Sequence, residues 1–490
     1  MTTVRNNEWF ESIPAMVTQT YELIVLLGGL VLLTVLVVQG RSIFVAAPLC
    51  AVVMVTLSGF DPLGSMTGAY MTGFAEFIRR FYAIVALGAV FGKVMEESGA
   101  AARIADSLGR QLGSGRACLA VVLACAVLTY GGVSVFAVGF SVFPLAVQLF
   151  RGADLPRRFI PAAICLGSIT FTMTSAGSPE IQNLIPIQYL IDATTKLPLT
   201  DARAGWPVSV IVGLLMFAVG QIYLDWAIQR DIKAGHRWEI RPNDCIDRTE
   251  ASRPCAWRSV LPLLTTVVTL NFLPLVCHTI ASTCESSFNE MGLAGIRVHR
   301  FLALVPEDPT LSLFLGVTVA IVVLRSHLTN SWNCMGEGCT NGFIAIGSTA
   351  AVVGFGAAVK ELPAFARVVD GVTHLPIDPL LGAALAVAVI AAIAGSASGG
   401  QAIALPILKP IFVDGLGVAP RALHRVVSIA SGSLDTLPAN GFVVMLLSVI
   451  CDETHARAYG PIFVTTVIIP LGGTLLAIAL FNLVPAWALM

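Results

Sequence analysis

Apolar runs of about 16 to 25 residues recur along almost the whole chain, each long enough to cross a bilayer as a helix. Lipid cannot hydrogen-bond a peptide group, so every spanning run must be helical, and a break at membrane depth must sit inside protein or beside a water-filled cavity. Composition agrees. Of all residues 56% are hydrophobic and 12% charged, against roughly 25% charged in a typical soluble protein, and mean hydropathy is +0.83. The expected fold class is an all-α polytopic membrane protein embedded in a lipid bilayer, and its helical spans imply a bacterial inner (cell) membrane.

The formal net charge of -1 points to no nucleic acid and no acidic partner, so the placement of charge matters more than its sum. The eleven cysteines do not form a disulfide scaffold: Cys50, Cys118, Cys125, Cys165 and Cys451 fall in apolar segments, where Cys acts as a small hydrophobe. Cys334 and Cys339 have no His or further Cys at zinc spacing, and neither a metal nor another cofactor is expected. For Cys277 and Cys284, in an expected external loop, a disulfide and two free thiols are equally open readings. Met1 to Thr20 lacks a small-residue cleavage site, so the run after it reads as a first membrane helix, not a removed leader.

In chain order, spans are expected at Tyr21–Val38, Ile43–Phe60 and Arg80–Met95, followed by an amphipathic interfacial piece, Glu96–Arg116. Ala117–Phe150 is basic at both ends, which places both in the cytoplasm and makes it a re-entrant hairpin with its tip at Tyr130–Ser134. Phe159–Ile191 crosses as a helix interrupted by Ser168–Asn183, and Trp206–Ile228 returns. The segment 229–258, with Arg230, Lys233, Arg237, Arg241 and Arg248, is fixed as a cytoplasmic linker and leaves the N-terminus outside. Then follow Val260–Val276, Leu311–Leu324, a loop Arg325–Asn341, and a span Gly342–Val359. An amphipathic Glu361–His374 precedes Leu380–Phe412, centred on Gly395–Ala402. The chain closes with a second interrupted helix, Val426–Val449, broken at Ser431–Gly441, and a last span, Phe463–Trp487.

The chain repeats itself at an offset of 264: Phe91 maps to Phe355, Glu97 to Glu361, Arg103 to Arg367, Gly131 to Gly395, Ser134 to Ser398, Pro156-Arg157 to Pro420-Arg421, Thr172 to Thr436 and Gly177 to Gly441. The span count sends the copies across in opposite directions, an inverted repeat of the kind transporters use. The domains read as residues 1–228, the linker 229–258, and an inverted half 259–490.

Two hairpin tips and two helix breaks should meet near the midplane. They offer Gly132, Ser134, Thr172, Thr174, Ser178, Asn183, Ser396, Ser398, Gln401, Ser433, Thr436 and Asn440 as a neutral hydrogen-bonding set for substrate. Helix N-termini at the breaks add positive partial charge, which favours a small carboxylate without a dedicated Arg. Ser and Thr also bond to their own helix backbone and glue helices together, so the grouping carries the reading and no single hydroxyl does. Asp435 and Glu180 are carboxylates at membrane depth and candidate carriers of a coupling ion. A carboxylate deprived of water holds a proton more readily and could take one up outside and release it inside. Asp435 has a second reading as the cap of the following half-helix, and Glu180 as a charge suited to a helix N-terminus. An integral membrane enzyme would need a nucleophile with its base or a clustered metal set, and the seven His lie outside the four irregular elements.

Three motifs, Phe91-Gly-Lys-Val-Met-Glu-Glu-Ser-Gly99 with Ala102-Arg-Ile-Ala105, Gly177-Ser-Pro-Glu-Ile-Gln-Asn-Leu-Ile-Pro186, and Ser431-Gly-Ser-Leu-Asp-Thr-Leu-Pro-Ala-Asn-Gly441, stand in the order found in gluconate permease (GntP) transporters. The chain resembles that family over most of its length. The resemblance implies a proton-linked symporter of sugar acids or hydroxy- and ketocarboxylates within the ion-transporter superfamily. It also implies a homodimer whose hairpins and broken helices move as an elevator against a scaffold. The sequence departs from the family in two places. Leu437-Pro-Ala-Asn-Gly441 stands where Leu-Pro-His-Asn-Gly is common, and Glu180 where Gln is expected. With that His absent, coupling shifts toward Asp435 or Glu180, and sodium coupling or sodium/proton antiport stays open.

Overall fold

A computed structural model of the chain describes residues 15–39, 41–174, 176–239, 254–283, 309–367, 377–438 and 440–490. The first half runs α1 (Ala15–Val38), α2 (Ile43–Leu57), α3 (Met71–Glu97), α4 (Ala100–Leu112), α5 (Ala117–Tyr130), α6 (Val135–Gly152), α7 (Ile160–Thr174), α8 (Ile181–Tyr189) and α9 (Trp206–Lys233). The second runs α10 (Ala256–Thr283), α11 (Pro309–Leu324), α12 (Ser331–Lys360), α13 (Pro379–Ala394), α14 (Ala397–Leu408), α15 (Pro420–Ser431), α16 (Gly441–Met445), α17 (His455–Phe463) and α18 (Ile469–Leu483), with π-helical turns continuing α14 and α16 and joining α17 to α18.

Among the described residues, five helical stretches are long and apolar enough to cross a membrane: Trp206–Lys233, Ala256–Cys277, Thr310–His327, Ser331–Lys360 and His455–Leu483. Several carry bulky apolar side chains on the outside, such as Leu214, Ile222, Phe272, Val322 and Leu475. The hairpin and broken helices are shorter and lie inside. α7 and α15 have almost every residue buried, so the peptide groups freed at their breaks face protein, as the absence of water in lipid demands. The hairpins form as the sequence predicts: α5 folds back on α6 around Gly131–Ser134, and α13 on α14 around Gly395–Ser396.

Each half's apolar core is completed by the other half. Leu184, Ile185 and Ile187 of α8 are buried in the cluster formed by α13, α14 and α15. Phe442, Val443, Leu446 and Leu447 beyond the second break are buried with α5, α6 and α7, beside Val133 and Ala397 of the two hairpin tips. The largest helix contact, α3 on α12, also crosses between halves. Separating the halves would expose both cores.

Several boundaries differ from the sequence reading: the third span starts at Met71, not Arg80, and the last one runs His455–Leu483, starting eight residues before Phe463. The stretch Arg325–Asn341 is not a loop beyond Asn330: Ser331 begins α12, capped by the Asn330 side chain, and its polar Glu337 pairs with Lys93 of α3 at 2.9 Å. The second broken helix begins at Pro420, six residues before Val426, because Pro at the first helical position starts a helix without losing a hydrogen bond. Cys277 is buried and unbridged, while Cys284 lies outside the described residues, as does the end of Glu361–His374. No group of three or more His, Cys, Asp or Glu that could hold a metal occurs among the described residues.

Gly167 is where α7 passes closest to α5: a Cβ there would lie 2.2 Å from the Val122 carbonyl oxygen and 2.7 Å from Cys125 Cβ. Gly167→Val should therefore lower the melting temperature of the detergent-solubilised protein, at a cost of about 1–3 kcal/mol for overpacking. Gly88→Ala, with open space around it, should leave it unchanged.

Candidate functional site

The first break is held open by a left-handed glycine and by three neighbouring elements. Gly177 has φ +81°, a conformation that a side chain disfavours. Its N–H donates to the Ala202 carbonyl at 2.7 Å, and its carbonyl accepts from Asn271 Nδ2 of α10 at 2.7 Å. The tip of the first hairpin closes on this break: the Tyr130 hydroxyl donates to the Ala176 carbonyl at 3.0 Å, and Ser178 Oγ donates to the Tyr130 carbonyl at 2.9 Å. Gly132 leaves room for Pro179, whose Cγ would stand 2.7 Å from an added Cβ.

The second break is tied to the second tip in the same way by different groups. Asp435 Oδ2 accepts from Ala397 N at 3.1 Å, at the start of α14, and Asn440 Nδ2 donates to the Gly395 carbonyl at 3.2 Å. Gln401 Nε2 donates to Ser431 Oγ at 2.8 Å. The cap of the following half-helix is Asn440, which accepts from Phe442 N and Val443 N at 2.9 and 3.1 Å. Asp435 is thus anchored to the neighbouring hairpin and does not cap its own helix. Its Oδ1 is buried and has no donor among the described residues, and the same holds for Gln401 Oε1 and Gln182 Oε1. Glu180 precedes α8, is 8% exposed, and makes no side-chain cap bond.

Asn183 joins the two breaks. Its Nδ2 donates to the Ser178 and Ala202 carbonyls, both at 2.9 Å, which fixes which end of the amide is oxygen. Oδ1 accepts from Arg425 Nη2 at 2.9 Å and faces His424 Nε2 at 3.2 Å. Because Oδ1 can only accept, the imidazole proton sits on Nε2, and Nδ1, 2.8 Å from Thr200 Oγ1, accepts from that hydroxyl. Arg425 Nε donates to the Ala204 carbonyl at 3.0 Å, and Ser428 Oγ donates to the Gln182 carbonyl at 3.1 Å. Arg425 is 0% exposed, and its Nη1 has no acceptor among the described residues. Tyr130 of the first tip and Asp201 lie within range of its charge. The loop that supplies Thr200, Ala202 and Ala204 is itself braced: Asp192 Oδ1 accepts from Thr194 N, Thr195 N and Thr195 Oγ1, and these bonds hold its carboxyl below the usual carboxylate range.

Other residues singled out in the sequence have local duties. Ser134 and Ser396 cap α6 and α14, and Ser396 Oγ lies 3.1 Å from Ser398 Oγ. Thr172 donates to the Ser168 carbonyl, Thr174 to that of Thr170, and Ser433 to that of Ala430. Thr436 donates to Thr466 Oγ1 at 2.7 Å, toward the last span. Lys409 pairs with Asp414 and Arg421 with Asp201. Sequence reasoning missed His424 and Arg425 because it started the broken helix at Val426; the available signal was Pro420 as a helix start, with Arg421, His424 and Arg425 on one helix face at i, i+3 and i+4.

Helices that span, hairpins and broken helices folded inward, and a buried polar junction between two halves define a polytopic membrane transporter. Comparison agrees: a family model described as GntP family permease matches residues 21–484. The chain belongs to the GntP family of permeases, which are transporters and not enzymes. It is 33% identical over 467 residues to the uncharacterized transporter YxjC of Bacillus subtilis (91% of this chain, 96% of the relative). It is 23% identical to a gluconate permease of Zymomonas mobilis (90% and 93%) and 24% to the D-serine transporter DsdX of Escherichia coli K12 (89% and 93%). Among solved structures, the YdaH transporter of Alcanivorax borkumensis shares the fold, with a TM-score of 0.53 over 86% of this chain and 88% of that one at 16% identity.

Asn183→Ala removes two donors and the acceptor for a buried guanidinium. It should destabilise the protein by about 2–5 kcal/mol, given the desolvation left unpaid at each partner, and lower the melting temperature accordingly. Thr174→Val, whose hydroxyl serves only its own turn, should leave uptake affinity unchanged.

Proposed function

We propose that the chain is a secondary active symporter that takes up a small organic anion, a sugar acid or a hydroxy- or ketocarboxylate, by alternating access. The observation that carries this reading is Arg425: a fully buried guanidinium whose Nη1 has no acceptor among the described residues, set where the broken helices of both halves meet. A buried charge left unpaired is costly, and a substrate carboxylate is the acceptor that would complete it. Buried acceptors on Gln182 and Gln401 suit the hydroxyl donors of a sugar acid. Gluconate and D-serine, the substrates in two relatives' names, each carry a carboxylate and at least one hydroxyl. The remaining candidates, Gly132, Ser134, Ser178, Asn183, Ser396, Ser398 and Asn440, would shape the chamber around these groups.

Asp435 carries the coupling ion in this reading. Its Oδ1 lacks a donor, so it can take a proton; sodium is the second reading, because Gln401 Oε1 offers another acceptor nearby on the helix that Asp435 anchors. The two halves are read as inverted repeats, supported by matching hairpins and breaks at an offset of 264. The α3–α12 pair suits a scaffold for elevator motion. The proposal also includes a homodimer in the inner membrane, with the N-terminus outside and the linker 229–258 cytoplasmic.

In proteoliposomes, labelled gluconate should accumulate under an inward proton gradient and not under sodium alone; accumulation driven only by sodium would contradict proton coupling. Asp435→Asn should abolish uphill uptake and keep exchange. Arg425→Gln should raise KM about tenfold or more, the worth of a charge-assisted hydrogen bond, with Arg425→Lys in between.

A further inference from the structure

α10 and α11 pack side by side, the start of one against the end of the other. Between those ends lies an open cavity of about 600 Å³ lined by Trp257, Arg258, Val322, Val323, Arg325 and Ser326. Both helices are candidate membrane spans, so the cavity sits where a bilayer surface would meet the protein. Neither Arg258 nor Arg325 has a carboxylate partner among the described residues. Arg258 stacks its guanidinium 5.4 Å from the ring centre of Trp257. Trp257 is 61% exposed and Val322 is 69% exposed.

We infer that this cavity is a binding site for an anionic phospholipid, with the headgroup phosphate between Arg258 and Arg325. Two planar guanidinium forks present donors in the geometry that phosphate oxygens accept. Arginines paired with acidic side chains would serve as plain interfacial anchors, but these two have no such partner among the described residues and offer their charge to a ligand. The indole of Trp257 marks headgroup depth, and Val322 and Val323 give the first acyl carbons an apolar wall. Water-soluble phosphate would use the two arginines but not that wall. The site is separate from the polar junction at Asn183 and stands whether or not the substrate reading holds.

The test is native mass spectrometry of the full-length protein in detergent, titrated with phosphatidylglycerol, phosphatidylcholine or inorganic phosphate. Phosphatidylglycerol should stay bound and phosphatidylcholine should not. In the Arg258→Gln, Arg325→Gln double variant its apparent affinity should fall roughly thirtyfold, two interfacial charges' worth. In a control pair at exposed arginines elsewhere, Arg41→Gln with Arg203→Gln, it should not change. Equal retention of both lipids, an unchanged double variant, or competition by millimolar phosphate would each overturn the assignment. Should the double variant not fold, brominated phosphatidylglycerol should quench a fraction of the tryptophan emission that Trp257→Phe removes; quenching unaltered by that substitution would also overturn it.

Discussion

A guanidinium taken out of water costs several kcal/mol unless its donors are satisfied, and more so at membrane depth. Arg425 meets part of that demand through the Asn183 side chain and the Ala204 carbonyl, with Nη1 left without an acceptor among the described residues, and the rest of the polar interior is arranged around it. Asn183 can accept from Arg425 and His424 only because its amide nitrogen is spent on Ser178 and Ala202. The Ser178 carbonyl is free because the helix stops at Thr174, and the Ala202 carbonyl because it lies in the loop before Trp206. The break in one half therefore exists to hold a charge in the other.

Apolar packing makes the same dependence hold in three dimensions. The short helices beyond the breaks are buried in the core of the opposite half, so neither half buries its own apolar surface alone. Two interlocked apolar cores therefore enclose the polar seam between the halves. Asp435 is tied to the second hairpin through Ala397, so a change at that carboxylate would be felt by the hairpin that flanks the seam.

Much of this was legible in the sequence. Apolar run lengths gave the class, and Gly and Pro within those runs located both breaks and both tips. The reading failed where charge occurred inside a helix. His424 and Arg425 looked like the end of a loop because hydropathy falls there, yet they are buried and bond the Thr200 hydroxyl and the Ala204 carbonyl of a loop more than two hundred residues earlier, a pairing no local pattern encodes. Ser331–Asn341 failed for the same reason: the stretch is polar, yet it is helical and its Glu337 pairs with Lys93 of α3. Thr172 and Thr436, equivalent in sequence, differ in structure, one bonded to its own turn and the other to Thr466, so sequence symmetry did not carry over to the side-chain partners. Asp435 was legible as a membrane carboxylate but not as the anchor of the second hairpin.

The most direct measurement is a map of the protein with gluconate bound. The account predicts a carboxylate within hydrogen-bonding distance of Arg425 Nη1, between the tips at Gly131–Ser134 and Gly395–Gln401. A substrate resolved elsewhere, with Arg425 still bonded only to Asn183 and Ala204, would contradict it.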